Sequence, residues 1–324
     1  AIKGVRGVFA TKSPTSEGVA VLADTFWAAK QGRDALEIKW EDGTNAKLNT
    51  PDMMKTLTDM AQGKAGEVKT AKKEGDVATA KSAKTIEAIY QVPYLVHAPM
   101  EPMNCTAWVK ADSCKLWVGS QPKTVDQMVA AQIAGVPQDK VKVNTMLLGG
   151  GFGRRFAPDF VVEAVSLSKA ANAPVKVVYT REDDTKGYYY RPAAVCHMRG
   201  GMDANGVPTM MYARTACDSL ADGTGFEKAI IKDGIDTTSV EGLTEMPYAV
   251  ANKQIDWARY SPGVRTWFWR SVGNTQNIFF AESFIDEMAH AAGKDPYEYR
   301  RALMDKHPRH KAVLELAAQK AGWG

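Results

Sequence analysis

The sequence predicts an α+β fold in two parts. Three observations point to it. Alternating strand-like segments and helix-periodic segments are interspersed along the chain. The length, 324 residues, exceeds the usual size of one domain. Residues 64–84 are rich in Lys, Ala, Gly and Thr and poor in large apolar side chains, so they read as a linker, with a domain boundary near residue 82.

Taken in order, residues 1–9 begin as a strand, and residues 17–24 form a second that ends at a helix cap. Asp24 is expected to cap a helix over 25–35, with Phe26, Ala29, Ala35 and Leu36 broadly on one face. Residues 36–40 alternate as a half-buried strand, closing a β-α-β unit at Glu41-Asp42-Gly43. Thr50-Pro51 opens a helix through Met53, Met54, Leu57 and Met60 that stops near Gly63. Further strands are expected at 85–92, 106–109, 115–120, 142–148 and 175–180. A hairpin of 195–202 and 208–217 turns around Asp203-Ala204-Asn205-Gly206. Helices are expected at 124–134, 158–171, 277–292, 296–304 and 310–321, the fourth opened by a capping box, Asp295-Pro296-Tyr297-Glu298.

The most informative run is Leu148-Gly149-Gly150-Gly151-Phe152-Gly153-Arg154-Arg155-Phe156, placed on a strand-to-helix turn. Glycine admits positive φ and close approach of a ligand to the backbone. Exposed amides at such a turn suit an anion, and two arginines add charge-assisted donors. The alternative is a glycine-rich hairpin with a solvated arginine pair. The run fits neither the P-loop nor the dinucleotide fingerprint.

Composition bounds the function. A net charge of +4, from 41 basic and 37 acidic side chains, is too mild to argue for nucleic acid, and there is no basic tract. No apolar run approaches a membrane span. Cys105, Cys114, Cys196 and Cys217 show no CxxC or zinc spacing and read as free buried thiols, with a Cys105–Cys114 disulfide open only in an oxidising compartment.

These residues carry a resemblance. The run 149–155, the segment His97-Ala98-Pro99-Met100-Glu101-Pro102-Met103-Asn104-Cys105-Thr106-Ala107, and the segment Trp269-Arg270-Ser271-Val272-Gly273-Asn274-Thr275-Gln276-Asn277 together resemble the molybdenum hydroxylase large subunits, the xanthine dehydrogenase/aldehyde oxidase family. The order and separation of the three agree, and the likeness is greatest to the isoquinoline 1-oxidoreductase and membrane-associated aldehyde dehydrogenase branch. The resemblance implies the end of an α/β hammerhead-like domain over 1–82 and the first molybdopterin-binding domain over 83–324. It implies molybdopterin, as the cytosine dinucleotide, bound by Gly150, Gly151, Phe152, Gly153 and Arg154, with Arg270 on the pterin or phosphate side and Gln276 beside it. The family's metal takes no protein ligand. Leu95 and Phe156 stand where purine oxidisers carry a glutamine and a glutamate, and no arginine near Ser239 matches their substrate-orienting one. The resemblance therefore favours aldehydes or apolar aromatic N-heterocycles, hydroxylated with oxygen from water.

The family's base is a glutamate in a Gly-x-Gly-Glu loop near the end of a much longer subunit. That run does not occur here, so no catalytic residue is expected in this chain and the stretch reads as a fragment, a nicked piece or one half of a split large subunit. Implied partners are the remainder of that subunit, a small [2Fe–2S] subunit that carries the iron–sulfur clusters, and a cytochrome c subunit as a further candidate. The implied compartment is the periplasm, with membrane association through partners, the cytoplasm being the alternative. A second class of function stays open: a non-catalytic anion- or nucleotide-binding module, or a scaffold fragment of such a complex. His97 and Glu101, four apart, suggest a metal pair only weakly, because Pro99 and Pro102 oppose a helix there. Glu182, Asp183 and Asp184 read as a solvated turn, with a buttressing role for 181–183 open. Residues 188–190, three tyrosines, read as a packed strand or the lining of a substrate funnel.

Overall fold

A computed structural model describes residues 2–12 and 17–324 of the chain. Two compact units interleave along it, where the sequence suggests a single division near residue 82. One comprises Ala1–Thr44, Val96–Tyr190 and Trp267–Trp269; the other comprises Asn45–Leu95, Arg191–Thr266 and Arg270–Gly324.

The first unit is built on a four-stranded sheet in the order Val141–Thr145, Cys114–Val118, Asn104–Val109, Val175–Val178. The first two strands run parallel, joined by a crossover that contains the helix Lys123–Ala134. Cys105, Ala107 and Val109 alternate inward, as do Cys114, Leu116 and Val118, and all are buried. The helix Asp159–Ala171 lays Phe160, Val161, Ala164 and Val165 against this face. All four cysteines are free, buried thiols.

At the start of this unit, Val5–Lys12 and Glu17–Ala23 form an antiparallel pair followed by the helix Phe26–Asp34. The helix is capped by Thr25, which accepts from the Ala28 amide, and not by Asp24, which is drawn away to Arg6 at 2.7 Å. Residues 36–40 form no strand. Their alternation has no ladder to join, and Ile38 and Trp40 are exposed, so the expected β-α-β unit is a hairpin followed by a helix.

The second unit holds a five-stranded sheet in the order Val68–Glu74, Asn252–Arg259, Pro208–Cys217, Ala194–Met202, Lys84–Val92. The helix Thr50–Ala61 packs on the two strands of the central hairpin, and the long helix Asn274–Ala291 packs on Lys84–Val92 and Ala194–Met202. Period-2 alternation feeds two cores. Cys196 and Met198 meet Phe280, Phe284 and Met288, whereas Val195 and Ala216 meet Leu57 and Ala61. The stretch expected to be a linker contains the strand Val68–Glu74. Its lysines suit the edge of a sheet. The strand Asn252–Arg259 was not expected; it lies parallel to Pro208–Cys217 and buries Ile255 and Trp257. The cap at Asp295 forms as expected, accepting from the amides of Tyr297 and Glu298. No helix of the described residues is long and apolar enough to cross a membrane.

One buried group in the first unit has a measurable consequence. Asp126 is fully buried and neither carboxylate oxygen is hydrogen-bonded among the described residues. Burial pushes its pKa up to about 6. A carboxyl raised in the folded state favours folding while protonated, so its contribution is present below the unfolded value and is lost as pH rises to about 6. Asp126→Asn removes the ionisation. Urea denaturation should show the variant gaining on the parent by on the order of 2 kcal/mol at about pH 8, with little difference at about pH 3.5. An equal difference at both pH values would contradict this.

Candidate functional site

The chain leaves Val141–Thr145 and enters the glycine loop in the first unit. Gly150 has φ +98°, Phe152 +55° and Gly153 +96°. Left-handed backbone at a phenylalanine is strained, and such strain persists only where the surroundings impose it. A 3₁₀ turn, Arg154–Phe156, closes the loop, with the Arg154 amide donating to the Gly151 carbonyl at 2.8 Å. Two glycines are required sterically. A Cβ on Gly149 would lie 2.6 Å from the Glu101 Cβ, and one on Gly153 would lie 2.0 Å from the Phe268 carbonyl oxygen.

The loop's own donors are the notable feature. The Gly149 amide donates to Glu101 Oε2 at 2.7 Å, and the Gly153 amide to Gln121 Oε1 at 3.1 Å. Between them, the amides of Gly150, Gly151 and Phe152 make no hydrogen bond among the described residues. Unpaired backbone donors are uncommon, and three in a row on a loop with left-handed turns are the components of an anion-binding nest.

The two arginines face inward rather than toward solvent. Arg154 is buried and makes a two-pronged pair with Asp159 at 2.8 and 2.7 Å; Asp184 lies 3.6 Å from its Nε. Burial alone would lower its pKa, but Asp159 and the other acidic neighbours outweigh burial and raise it. Its guanidinium is also stacked near Tyr188 and Tyr189. Arg155, fully buried, donates from Nε to the Gly150 carbonyl (2.7 Å), from Nη1 to the Gly119 carbonyl (3.1 Å), and from Nη2 to the carbonyl and Oε2 of Glu101 (2.8 Å each). Neither guanidinium is turned outward as a phosphate ligand would be.

His97 and Glu101 are engaged separately. His97 Nε2 lies 2.8 Å from the Phe268 carbonyl and Nδ1 3.3 Å from that of Tyr189. Burial holds its pKa down to about 4, although both carbonyls pull the other way. Glu101 takes Asn104, Gly149 and Arg155. Residues 181–186 are not a solvated turn. The helix Arg181–Lys186 opens on a Thr180/Asp183 capping box, buries Asp184, and lets Arg181 donate to the carbonyls of Pro99 and Met100. Phe156 packs edge-on to Phe268 and against Trp267, next to Tyr189. Tyr188 stacks on Tyr179 at 4.6 Å.

Arg270, Gln276 and Leu95 belong to the second unit. Arg270 is exposed, and its guanidinium has no partner among the described residues. The next two residues, Ser271 and Val272, have φ +71° and +51°, a conformation that a β-branched residue rarely adopts. Gly273 is obligatory here, since a Cβ would lie 2.0 Å from the Thr238 carbonyl oxygen. Gln276 is buried with Oε1 unpartnered, while its neighbour Asn277 donates to the carbonyls of Ser239 and Glu241. Leu95 is exposed.

Comparison with known proteins gives a consistent result. A family model described as "Molybdopterin cofactor-binding domain" matches residues 60–304. The beta subunit of isoquinoline 1-oxidoreductase from Brevundimonas diminuta is 29% identical over 317 residues, covering 94% of this chain and 40% of that protein. The membrane-bound aldehyde dehydrogenase [pyrroloquinoline-quinone] of Gluconacetobacter polyoxogenes is 28% identical, covering 94% and 42%. Among solved structures, quinoline 2-oxidoreductase from Pseudomonas putida 86 superposes with a TM-score of 0.73 at 16% identity, over 94% of this chain and 43% of that one. The chain thus spans about two fifths of the length of the curated relatives it matches.

Proposed function

Because the chain belongs to the molybdopterin cofactor-binding domain family, we propose that it is part of the catalytic subunit of an oxidoreductase that hydroxylates aldehydes or aromatic N-heterocycles with oxygen from water. One observation carries the site: the three successive amides of Gly150, Gly151 and Phe152 that have no acceptor within the described residues. Such donors fit an oxygen-rich, anionic group. The exposed Arg270 guanidinium, without a partner among the described residues, suits a phosphate, and Gln276 Oε1, likewise unpartnered among them, suits an N–H of a pterin. When bound, molybdopterin supplies the redox chemistry itself.

The residues of this chain bind and orient. The loop amides offer preorganised donors, which need no rearrangement when charge develops in front of them. Arg270 contributes a planar fork that lysine cannot reproduce. Arg154 and Arg155 lie beneath the loop and support it. Phe156, within its aromatic cluster, and Leu95 present apolar surface where a purine would need polar partners. The likeness to relatives named as subunits supports partner subunits; the base outside this chain, iron–sulfur clusters on a small [2Fe–2S] subunit, a cytochrome c partner, the cytosine dinucleotide form and a periplasmic location are proposed with them from the resemblance of the three sequence segments alone.

Steady-state rates on benzaldehyde-type, isoquinoline-type and xanthine substrates test the reading in the full-length complex. An aldehyde or the heterocycle should have the highest kcat/KM. Xanthine as the best substrate would overturn it.

A further inference from the structure

Glu101 and Arg155 make a closed set of contacts around the glycine loop. The Glu101 carboxylate takes three donors: the Gly149 amide, Asn104 Nδ2 and Arg155 Nη2. The return contact is made by the backbone, where the Glu101 amide donates to the Gly149 carbonyl at 3.1 Å. Arg155 in turn occupies the carbonyls of Gly119, Gly150 and Glu101. The guanidinium is fully buried, and the Glu101 side chain is 37% exposed.

The consequence concerns the acceptors. An unpaired amide in a flexible loop would turn to find a neighbouring carbonyl, because an unmet donor is costly. Here the carbonyls flanking the loop are held by a cation that forms five donor sites in a rigid fork. The amide at the entry is fixed by a carboxylate. The amides of Gly150, Gly151 and Phe152 are left with no partner among the described residues, and the strained φ of Phe152 is imposed by the frame around it.

We propose that Glu101 and Arg155 are a positioning pair whose function is to withhold internal acceptors from the three loop amides, so that the loop is a preformed donor cradle before the cofactor arrives. The inference rests on the functional reading above for the identity of the ligand, but not for the staple itself. Neither residue touches the ligand in this account.

The test uses the full-length protein with its partners, purified from cells that make molybdopterin and from cells that do not. Hydrogen–deuterium exchange of the peptide spanning residues 147–157 reads the loop, and molybdenum analysis reads the ligand. In cofactor-free protein, Glu101→Gln and Arg155→Lys should each speed exchange of the hydrogen-bonded Gly149 amide in this peptide about tenfold or more, the effect of losing charge-assisted bonds, and slow the amides of Gly150, Gly151 and Phe152 that then reach a carbonyl, while peptides from the other unit stay unchanged. Molybdenum content should fall severalfold in the same variants. Asn104→Leu, which removes one donor to Glu101 and spares the arginine, should give a smaller change in the same direction; it keeps the test open if the charged variants fail to fold. Unchanged loop exchange in folded Glu101→Gln or Asn104→Leu protein would overturn the staple. Faster exchange with full molybdenum content would uphold the staple and overturn the assignment of the loop to the cofactor.

Discussion

Replacing Gly153 by alanine is expected to abolish cofactor retention by the full-length protein. Two costs coincide at this position. The residue has φ +96°, which side chains of L-residues rarely adopt, and its Cβ would lie 2.0 Å from the Phe268 carbonyl oxygen. The oxygen cannot retreat freely, since it also accepts His97 Nε2–H at 2.8 Å. The loop must therefore move, and its movement pulls the Gly153 amide off Gln121 and disturbs the three unpaired amides before it. Strain at one such residue is of order 1–3 kcal/mol before the clash is added. Molybdenum should drop to less than about a tenth of the parent's, on the scale of 1.4 kcal/mol per tenfold in binding. Gly151→Ala is the control. Its φ is ordinary and its Cβ would meet only the end of the Gln121 side chain, which can shift at the cost of its bond to the Gly153 amide, so the loss should be partial.

Arg154→Met is expected to be the most destabilising single change in the first unit. The guanidinium is buried between Asp159 and Asp184, themselves buried. Methionine keeps the apolar stem and removes the charge, leaving Asp159 without its counter-ion and Asp184 with Arg181 alone. Breaking one partner of a buried pair costs about 3–5 kcal/mol. The loss should shrink as pH falls, because protonation neutralises the carboxylates left behind. Denaturant titration at neutral and acidic pH measures it. A change below about 1 kcal/mol at neutral pH, the scale of an exposed pair, would mean that Arg154 is not the support described.

What was legible in the sequence follows the range of the interactions. The hairpin of Ala194–Met202 and Pro208–Cys217 and the cap at Asp295 are local, set by residues within a few positions, and both could be read directly. Asn252–Arg259 could not. Its partner strand Pro208–Cys217 is parallel, so no turn joins them, and Lys253, Gln254 and Asp256 interrupt its apolar character. Val68–Glu74 was hidden by its lysines, which protect a sheet edge and read as a linker. Residues 36–40 show the reverse error, alternation with nothing to pair. In the candidate site, the glycine run itself was evident, and its resemblance extended to Arg270 and Gln276. The burial of Arg154 and Arg155 was not evident: Asp159 is only five residues from Arg154, but nothing local shows that it turns inward, and Glu101 and Asp184 lie far away in sequence.

The most direct test of the central claim is the amount of molybdenum and of pterin per large subunit, measured on the full-length parent beside Gly153→Ala, each expressed where molybdopterin is made. The account predicts about one of each per parent chain, the stoichiometry of a single site, and nearly none in the variant while it remains folded. A folded parent with neither, or a folded Gly153→Ala protein that carries both at the parent's level, would contradict it.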